Sequence, residues 1–88
     1  MPIIASFFGI YIRMYIADHA PPHFHVEYQE HVGLVTIADG SLLKGELPSR
    51  ALALVRQWCA DHRGELEQNW QNSQALLPLS RIAGADND

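Results

Sequence analysis

The first half of the chain alternates apolar and polar residues with the two-residue period of half-buried β-strands. In residues 10–16, isoleucine or methionine occupies every second position, with Tyr11, Arg13 and Tyr15 between them. Further strands, separated by short polar turns, are expected at residues 3–8, 23–28, 32–37 and 42–47. The pair Asp39-Gly40 is typical of a hairpin turn. Consecutive strands joined by short loops favour an antiparallel meander of four or five strands.

The second half has apolar residues at three- and four-residue steps, which is the period of an amphipathic helix. This stripe includes Trp58 and Trp70 and keeps its phase across Gly64, so it predicts one long helix over residues 48–75. Gly64 costs about 1 kcal/mol relative to alanine in a helix interior and permits a bend. We expect the helix to cover one face of the sheet.

A sheet covered by one long C-terminal helix predicts a two-layer α+β fold. We place a single domain at residues 1–82 and a flexible polar tail at residues 83–88. The second sheet face should be uncovered, and it carries aromatic, basic and acidic side chains: Tyr11, Arg13, Tyr15, His23, His25 and Glu27. Such a surface suggests an interface with a ligand, a partner or a second copy of the chain.

Composition limits the class of protein. With 88 residues, of which 48% are apolar and 18% charged, the chain is expected to be one globular domain. A net charge of −4 and a single lysine, Lys44, disfavour general binding to nucleic-acid backbones, although a local arginine patch would still permit it. No apolar run approaches the ~20 residues that span a bilayer, and the start lacks a secretory leader. We therefore expect a cytoplasmic protein without a membrane partner.

The segment Asp18-His19-Ala20-Pro21-Pro22-His23-Phe24-His25 holds three of the five histidines around a diproline. Proline fixes its own φ and pushes the preceding residue into an extended conformation, so the chain enters the next strand with little freedom. His23 and His25 should leave the same strand face roughly 6–7 Å apart. This segment is the main candidate for chemistry.

A metal site is the first of three uses that the residues leave open. His23 and His25 would supply two nitrogens, and His19 or Glu27 would complete a ligand set that suits a divalent metal such as zinc. No HExxH or cysteine-rich spacing accompanies them.

The second use is acid–base catalysis. His23 or His25 would act as the general base, and Arg13 or Arg50 would stabilise a phosphate transition state, as in a small ribonuclease without a metal. Arg50 is a candidate because a cation is poorly placed at the start of a helix, where the macrodipole favours anions.

The third use, which we favour, is structural and interfacial. His19 and His23 would tie the diproline loop to backbone carbonyls, while Tyr11, Tyr15 and His25 pack against a partner. On this interpretation no cofactor is expected.

The motif Asp-His-x-Pro-Pro-His-Phe-His-Val at residues 18–26 resembles the signature of a bacterial family, domain of unknown function 4160. The stretch Gly45-x-Leu47-Pro48-x-Arg50 and the later positions are similar to the helix of that family. These later positions are Val55, Trp58, His62, Glu65-Leu66 and Asn69-Trp70. The resemblance spans roughly residues 1–82, with Gly64 as a departure from the helix.

The resemblance implies a small bacterial protein that is often encoded beside another small uncharacterised protein, in an arrangement like a toxin–antitoxin pair. It implies no established activity. We therefore expect a binding protein of such a two-gene module, which contacts a small protein partner or forms a homo-oligomer. The alternative is a small ribonuclease-like or metal-dependent hydrolase that uses His19, His23 and His25.

Overall fold

The computed structural model describes residues 3–86 and contains one sheet and two helices. The strands are β1 (Ile3–Phe7), β2 (Ile10–Arg13), β3 (His23–Tyr28), β4 (His31–Thr36) and β5 (Leu42–Gly45). They form a single antiparallel sheet in chain order. The helices α1 (Ser49–Asp61) and α2 (Arg63–Gln74) follow. The predicted α+β meander is confirmed. Within residues 3–86, no helix is both long and apolar enough to cross a membrane.

The prediction of one long helix was wrong in the number of helices. His62 separates α1 from α2 with φ −124° and ψ 24°, outside the helical region. Its N–H still donates to the carbonyl of Trp58 at 3.0 Å, and its own carbonyl accepts from the N–H of Leu66 at 3.0 Å. Its ring nitrogen Nδ1 lies 2.7 Å from a carboxylate oxygen of Glu65, in the first turn of α2. One non-helical residue therefore interrupts the helix without shifting the apolar stripe.

Both helices bury their stripe against one face of the sheet. The buried helix residues are Ala51, Val55, Trp58 and Cys59 in α1, and Leu66, Asn69, Trp70 and Ser73 in α2. Trp58 lies against sheet aromatics, with ring centroids 5.3 Å from Phe7 and 5.8 Å from Phe24. Large aromatics supply much of the burial that a chain of this size achieves. Cys59 is buried and free.

The segment after α2 returns to the edge of the sheet. The Asn69 side chain is 1% exposed and exchanges two hydrogen bonds with the backbone of Ser80, both 2.8 Å long. Next along the chain, the N–H of Ile82 donates to the carbonyl of Ile4 at 2.7 Å, and the Ile82 side chain is buried. Asn69 is thus a buried polar residue whose hydrogen bonds are satisfied by the returning chain.

The packed part of the chain extends beyond the predicted boundary at residue 82. The indole N–H of Trp58 donates to the carbonyl of Ala83 at 2.8 Å, and a carboxylate oxygen of Asp86 accepts from the N–H of Phe8 at 3.1 Å. Residues 83–86 of the predicted tail therefore lie against the domain. Its last two residues lie outside the described part.

Two glycines of this fold should respond oppositely to alanine. A Cβ at Gly64, in the first turn of α2, would have no neighbour within 4 Å, so Gly64→Ala should raise the free energy of unfolding by at most about 0.5–1 kcal/mol, the range for a helix interior. Gly45 has φ +86°, and a Cβ there would collide with the carbonyl oxygen of Val32. Gly45→Ala should therefore lower the free energy of unfolding by more than about 1 kcal/mol. Urea denaturation measures the free energy of unfolding of both variants. A change of the same sign and size in the two would contradict the opposite roles given to these glycines.

Candidate functional site

The loop between β2 and β3 is tied to its surroundings on both sides of the diproline. The N–H of Ala17 donates to the carbonyl of Ser73 at 3.1 Å, and the Gln74 side chain donates to the carbonyl of Asp18 at 3.0 Å. Beyond the cis Ala20–Pro21 peptide bond, the carbonyl of Pro22 accepts from the N–H of Ile37 at 3.1 Å. The end of α2 and the end of β4 thus hold this loop in place.

The tied loop brings Asp18 to the two histidines of β3. The carboxylate oxygen Oδ2 of Asp18 lies 3.0 Å from Nε2 of His23 and 3.1 Å from Nε2 of His25. One ligand atom from each of the three residues lies within 4.8 Å of the others. We call this group the Asp18 cluster. It combines one carboxylate with two imidazoles around a shared oxygen atom.

His23 is the most deeply placed member of the cluster. It is 7% exposed, and its ring centroid lies 5.4 Å from those of both His25 and Trp70. Its Nδ1 lies 2.7 Å from the carbonyl oxygen of Pro21. His23 shares the strand face of His25, but the expectation that this face is uncovered is wrong at His23, because Trp70 of α2 packs against its ring at the start of β3.

His25 lies nearer the surface, with a side chain that is 23% exposed. The ring of Tyr15 packs edge-on against it, with centroids 4.3 Å apart. On the neighbouring strand, Arg13 is the register partner of His25, and its Nε donates to Glu27 at 2.9 Å. Of the residues expected at one site, His23, His25, Tyr15 and Arg13 are therefore close together.

The electrostatics of the cluster favour an ionised Asp18. Partial burial raises the pKa of its carboxyl group, but several interactions outweigh that effect. They are the hydrogen bond from His25, the hydrogen bond from the backbone N–H of His19 and the positive charges of His23 and His25. The net result is a pKa below the ordinary value.

Three of the residues expected at the site lie elsewhere or have another role. The His19 side chain is exposed, and it is its backbone N–H that contacts Asp18, at 2.8 Å. Glu27 binds Arg13 instead of completing a ligand set. Arg50 lines a shallow groove with Tyr28, at the far end of β3 and roughly 16 Å along the strand from His23.

Sequence reasoning missed Asp18, although it begins the same motif. It lies five residues before His23, which is too far for a strand neighbour, and only the turn through the diproline brings it back. A carboxylate beside a stiff turn that leads to two histidines was the available signal.

Replacing Asp18 should remove a pH-dependent part of the stability. Because its pKa is lowered in the folded state, Asp18 contributes stability that is fully present above the ordinary value of 3.8. This contribution is lost as the pH falls through the folded-state pKa. Asp18→Asn should therefore lower the free energy of unfolding by about 1–2 kcal/mol at pH 6, with a difference from wild type that narrows below pH ~3.8.

Urea titrations between pH 6 and 2.5, in the presence of a chelator, measure this difference. Glu67→Gln is the control, because Glu67 is an exposed carboxylate on the neighbouring helix. A difference for Asp18→Asn that stays constant with pH would contradict the assignment.

Comparison with known proteins agrees with the local motif. The family model described as "Domain of unknown function (DUF4160)" matches residues 9–71, which is more than half of the 88-residue chain. No curated protein and no solved structure matches. The matched range includes β2 to β5, the Asp18 cluster and most of α2. The chain therefore belongs to the family known as domain of unknown function 4160.

Proposed function

We propose that this protein is a binding module that recognises a small protein partner through the open face of its sheet. The observation that carries the proposal is the exposure of large side chains on that face. Tyr11 is 45% exposed, Val32 55% and Leu43 48%. Tyr11 and Val32 both flank Glu27 in the strand register, and Leu43 lies at the β4–β5 irregularity. Tyr11 and Val32 therefore belong to one surface.

The composition of this surface resembles that of recognition interfaces. A tyrosine and an arginine lie beside aliphatic side chains, and both residue types are enriched where proteins bind each other. The ion pair between Arg13 and Glu27 adds a charge pattern that would select among partners. The opposite face is already covered by α1 and α2, so it is not available to the same partner.

The size of the face favours a small partner. Five strands at about 4.8 Å spacing and four to six residues each give a flat area of roughly 400 Å². A standard interface covers about 800 Å² on each partner, so binding would depend on a few strong contacts. The arrangement like a toxin–antitoxin pair that the family resemblance implies supplies a candidate, the product of the neighbouring gene. Such a pair would act in the cytoplasm.

Tyr11→Glu should weaken binding to the neighbouring gene product by about 30-fold or more, since an interfacial tyrosine contributes about 2 kcal/mol. Binding of the purified proteins by calorimetry measures it, with circular dichroism to check folding. Ala53→Glu is the matched control, because it adds the same charge to an exposed position of α1. Unchanged binding by Tyr11→Glu would contradict the proposal. Self-association that Tyr11→Glu abolishes, without any binding of the neighbour, would identify a second copy as the occupant instead.

A ribonuclease-like activity is the second candidate, favoured by the contact between Asp18 and the partly exposed His25. A carboxylate that orients a histidine is a common arrangement in acid–base catalysis. For this activity, His25→Ala should slow RNA cleavage by about 100-fold or more in the presence of EDTA. His31→Ala is the control, since His31 lies at the start of β4 outside the cluster. Absence of cleavage by the wild type, or equal cleavage by His25→Ala, would exclude this candidate.

A further inference from the structure

We propose that Asp18, His23 and His25 bind one divalent transition-metal ion, with zinc as the best match to the ligand atoms. The proposal does not depend on partner binding by the open sheet face. It rests on the hydrogen-bonding pattern of His23, the spacing of the three ligand atoms and the rigidity of their support.

The hydrogen bonds of His23 restrict what can lie between it and Asp18. Its Nδ1 lies 2.7 Å from the carbonyl oxygen of Pro21, and a carbonyl oxygen can only accept, so Nδ1 carries a proton. In the neutral ring Nε2 is then unprotonated and directs its lone pair at the Asp18 oxygen, 3.0 Å away. Two electron-rich atoms at this distance repel each other. A positive species must therefore join them, either a second proton on the ring or a metal ion.

The orientation of His23 is the one that metal-binding histidines adopt. Such a histidine usually donates its other ring N–H to a carbonyl or carboxylate, which fixes the tautomer and turns the free nitrogen toward the metal. In this chain the Pro21 carbonyl accepts that hydrogen bond from His23, and the diproline before the strand holds the carbonyl in place.

The distances suit a small metal ion after a minor adjustment. Zinc lies about 2.0–2.2 Å from nitrogen and oxygen ligands, so tetrahedral neighbours are about 3.3 Å apart. The Asp18 oxygen lies 3.0 and 3.1 Å from the two Nε2 atoms, and all three atoms lie within 4.8 Å of one another. To hold zinc, the two Asp18–histidine distances would lengthen by a few tenths of an ångström, and the two histidine nitrogens, which lie within 4.8 Å of each other, would come to the tetrahedral separation by small rotations of their rings.

The backbone around the cluster limits larger movements. Gln74 of α2 holds the carbonyl of Asp18, and the other carboxylate oxygen, Oδ1, accepts from the N–H of His19. The rings of His23 and His25 extend from one strand, and Tyr15 packs edge-on against the second ring. A site supported in this way loses little conformational entropy when an ion binds.

The ligand atoms also select the class of ion. Two imidazole nitrogens and one carboxylate oxygen suit zinc and its first-row neighbours, whereas magnesium and calcium prefer oxygen ligands throughout. Three protein ligands leave a fourth position, and the Asp18 and His25 side chains are each 23% exposed, so water or a partner side chain can reach it. Zinc sites with three protein ligands typically keep the fourth position for an exchangeable ligand such as water.

The test uses full-length protein purified without a histidine tag and stripped with EDTA. Calorimetry with zinc chloride should give one equivalent for the wild type and none with magnesium chloride. Asp18→Asn and His25→Ala should each bind zinc at least about 100-fold more weakly. His19→Ala is the matched control, because it removes an exposed histidine next to Asp18 and should bind like the wild type.

A second measurement uses only the wild-type protein, because a variant could lose zinc binding simply by failing to fold. Nitrogen-15 NMR of the histidine rings should show zinc shifting the Nε2 resonances of His23 and His25, with those of His31 and His62 unchanged. Absence of zinc binding would overturn the proposal, and the contacts between Asp18 and the histidines would then be hydrogen bonds only. Binding that Asp18→Asn and His25→Ala do not weaken, or that shifts other histidines, would also overturn it by placing the ion elsewhere.

Discussion

The packing of the two-helix stripe onto the inner face of the sheet supports the rest of the molecule. Trp58 is central to it, because its ring lies against Phe7 and Phe24 and its N–H binds the carbonyl of Ala83. Burying one tryptophan removes about 150–250 Å² from water, which corresponds to roughly 4–6 kcal/mol. This is a large share of the 5–15 kcal/mol by which small domains are stable. The returning C-terminal segment is held in part by the same tryptophan.

The position of α2 in turn determines the geometry of the Asp18 cluster. Its C-terminal end holds the loop at Ala17 and Asp18, and Trp70 packs against the ring of His23. The break at His62 is part of this arrangement, since it sets where α2 begins relative to the sheet. A small change in helix packing would therefore alter the distances within the cluster. Fold stability and site geometry are coupled in this chain through a single short helix.

The open sheet face and the Asp18 cluster adjoin each other at His25. This residue is the strand neighbour of Arg13 on the face, and it also contacts the shared carboxylate oxygen of Asp18. A partner that covers the face would thus lie beside the cluster, and its side chains could approach the same oxygen. The two proposals remain separate in their tests, but the structure gives a physical route by which occupancy of one surface would influence the other.

The sequence by itself determined the strand meander, the helical second half and the stiffness of the diproline segment, because these depend on local periodicity and on the fixed φ of proline. It also indicated that His23 and His25 share a strand face. The tertiary structure decided which residue joins them. Asp18, and not His19, joins the two histidines, because a hydrogen bond from α2 holds the loop so that the Asp18 side chain faces them. Arg50 lies at the far end of β3, because α1 begins there. The motif indicated Asp18 only as a carboxylate beside a stiff turn, and nothing in local spacing indicated the position of Arg50, since both placements depend on how the helices pack against the sheet. The burial of His23 beneath Trp70 and the break at His62 have the same origin.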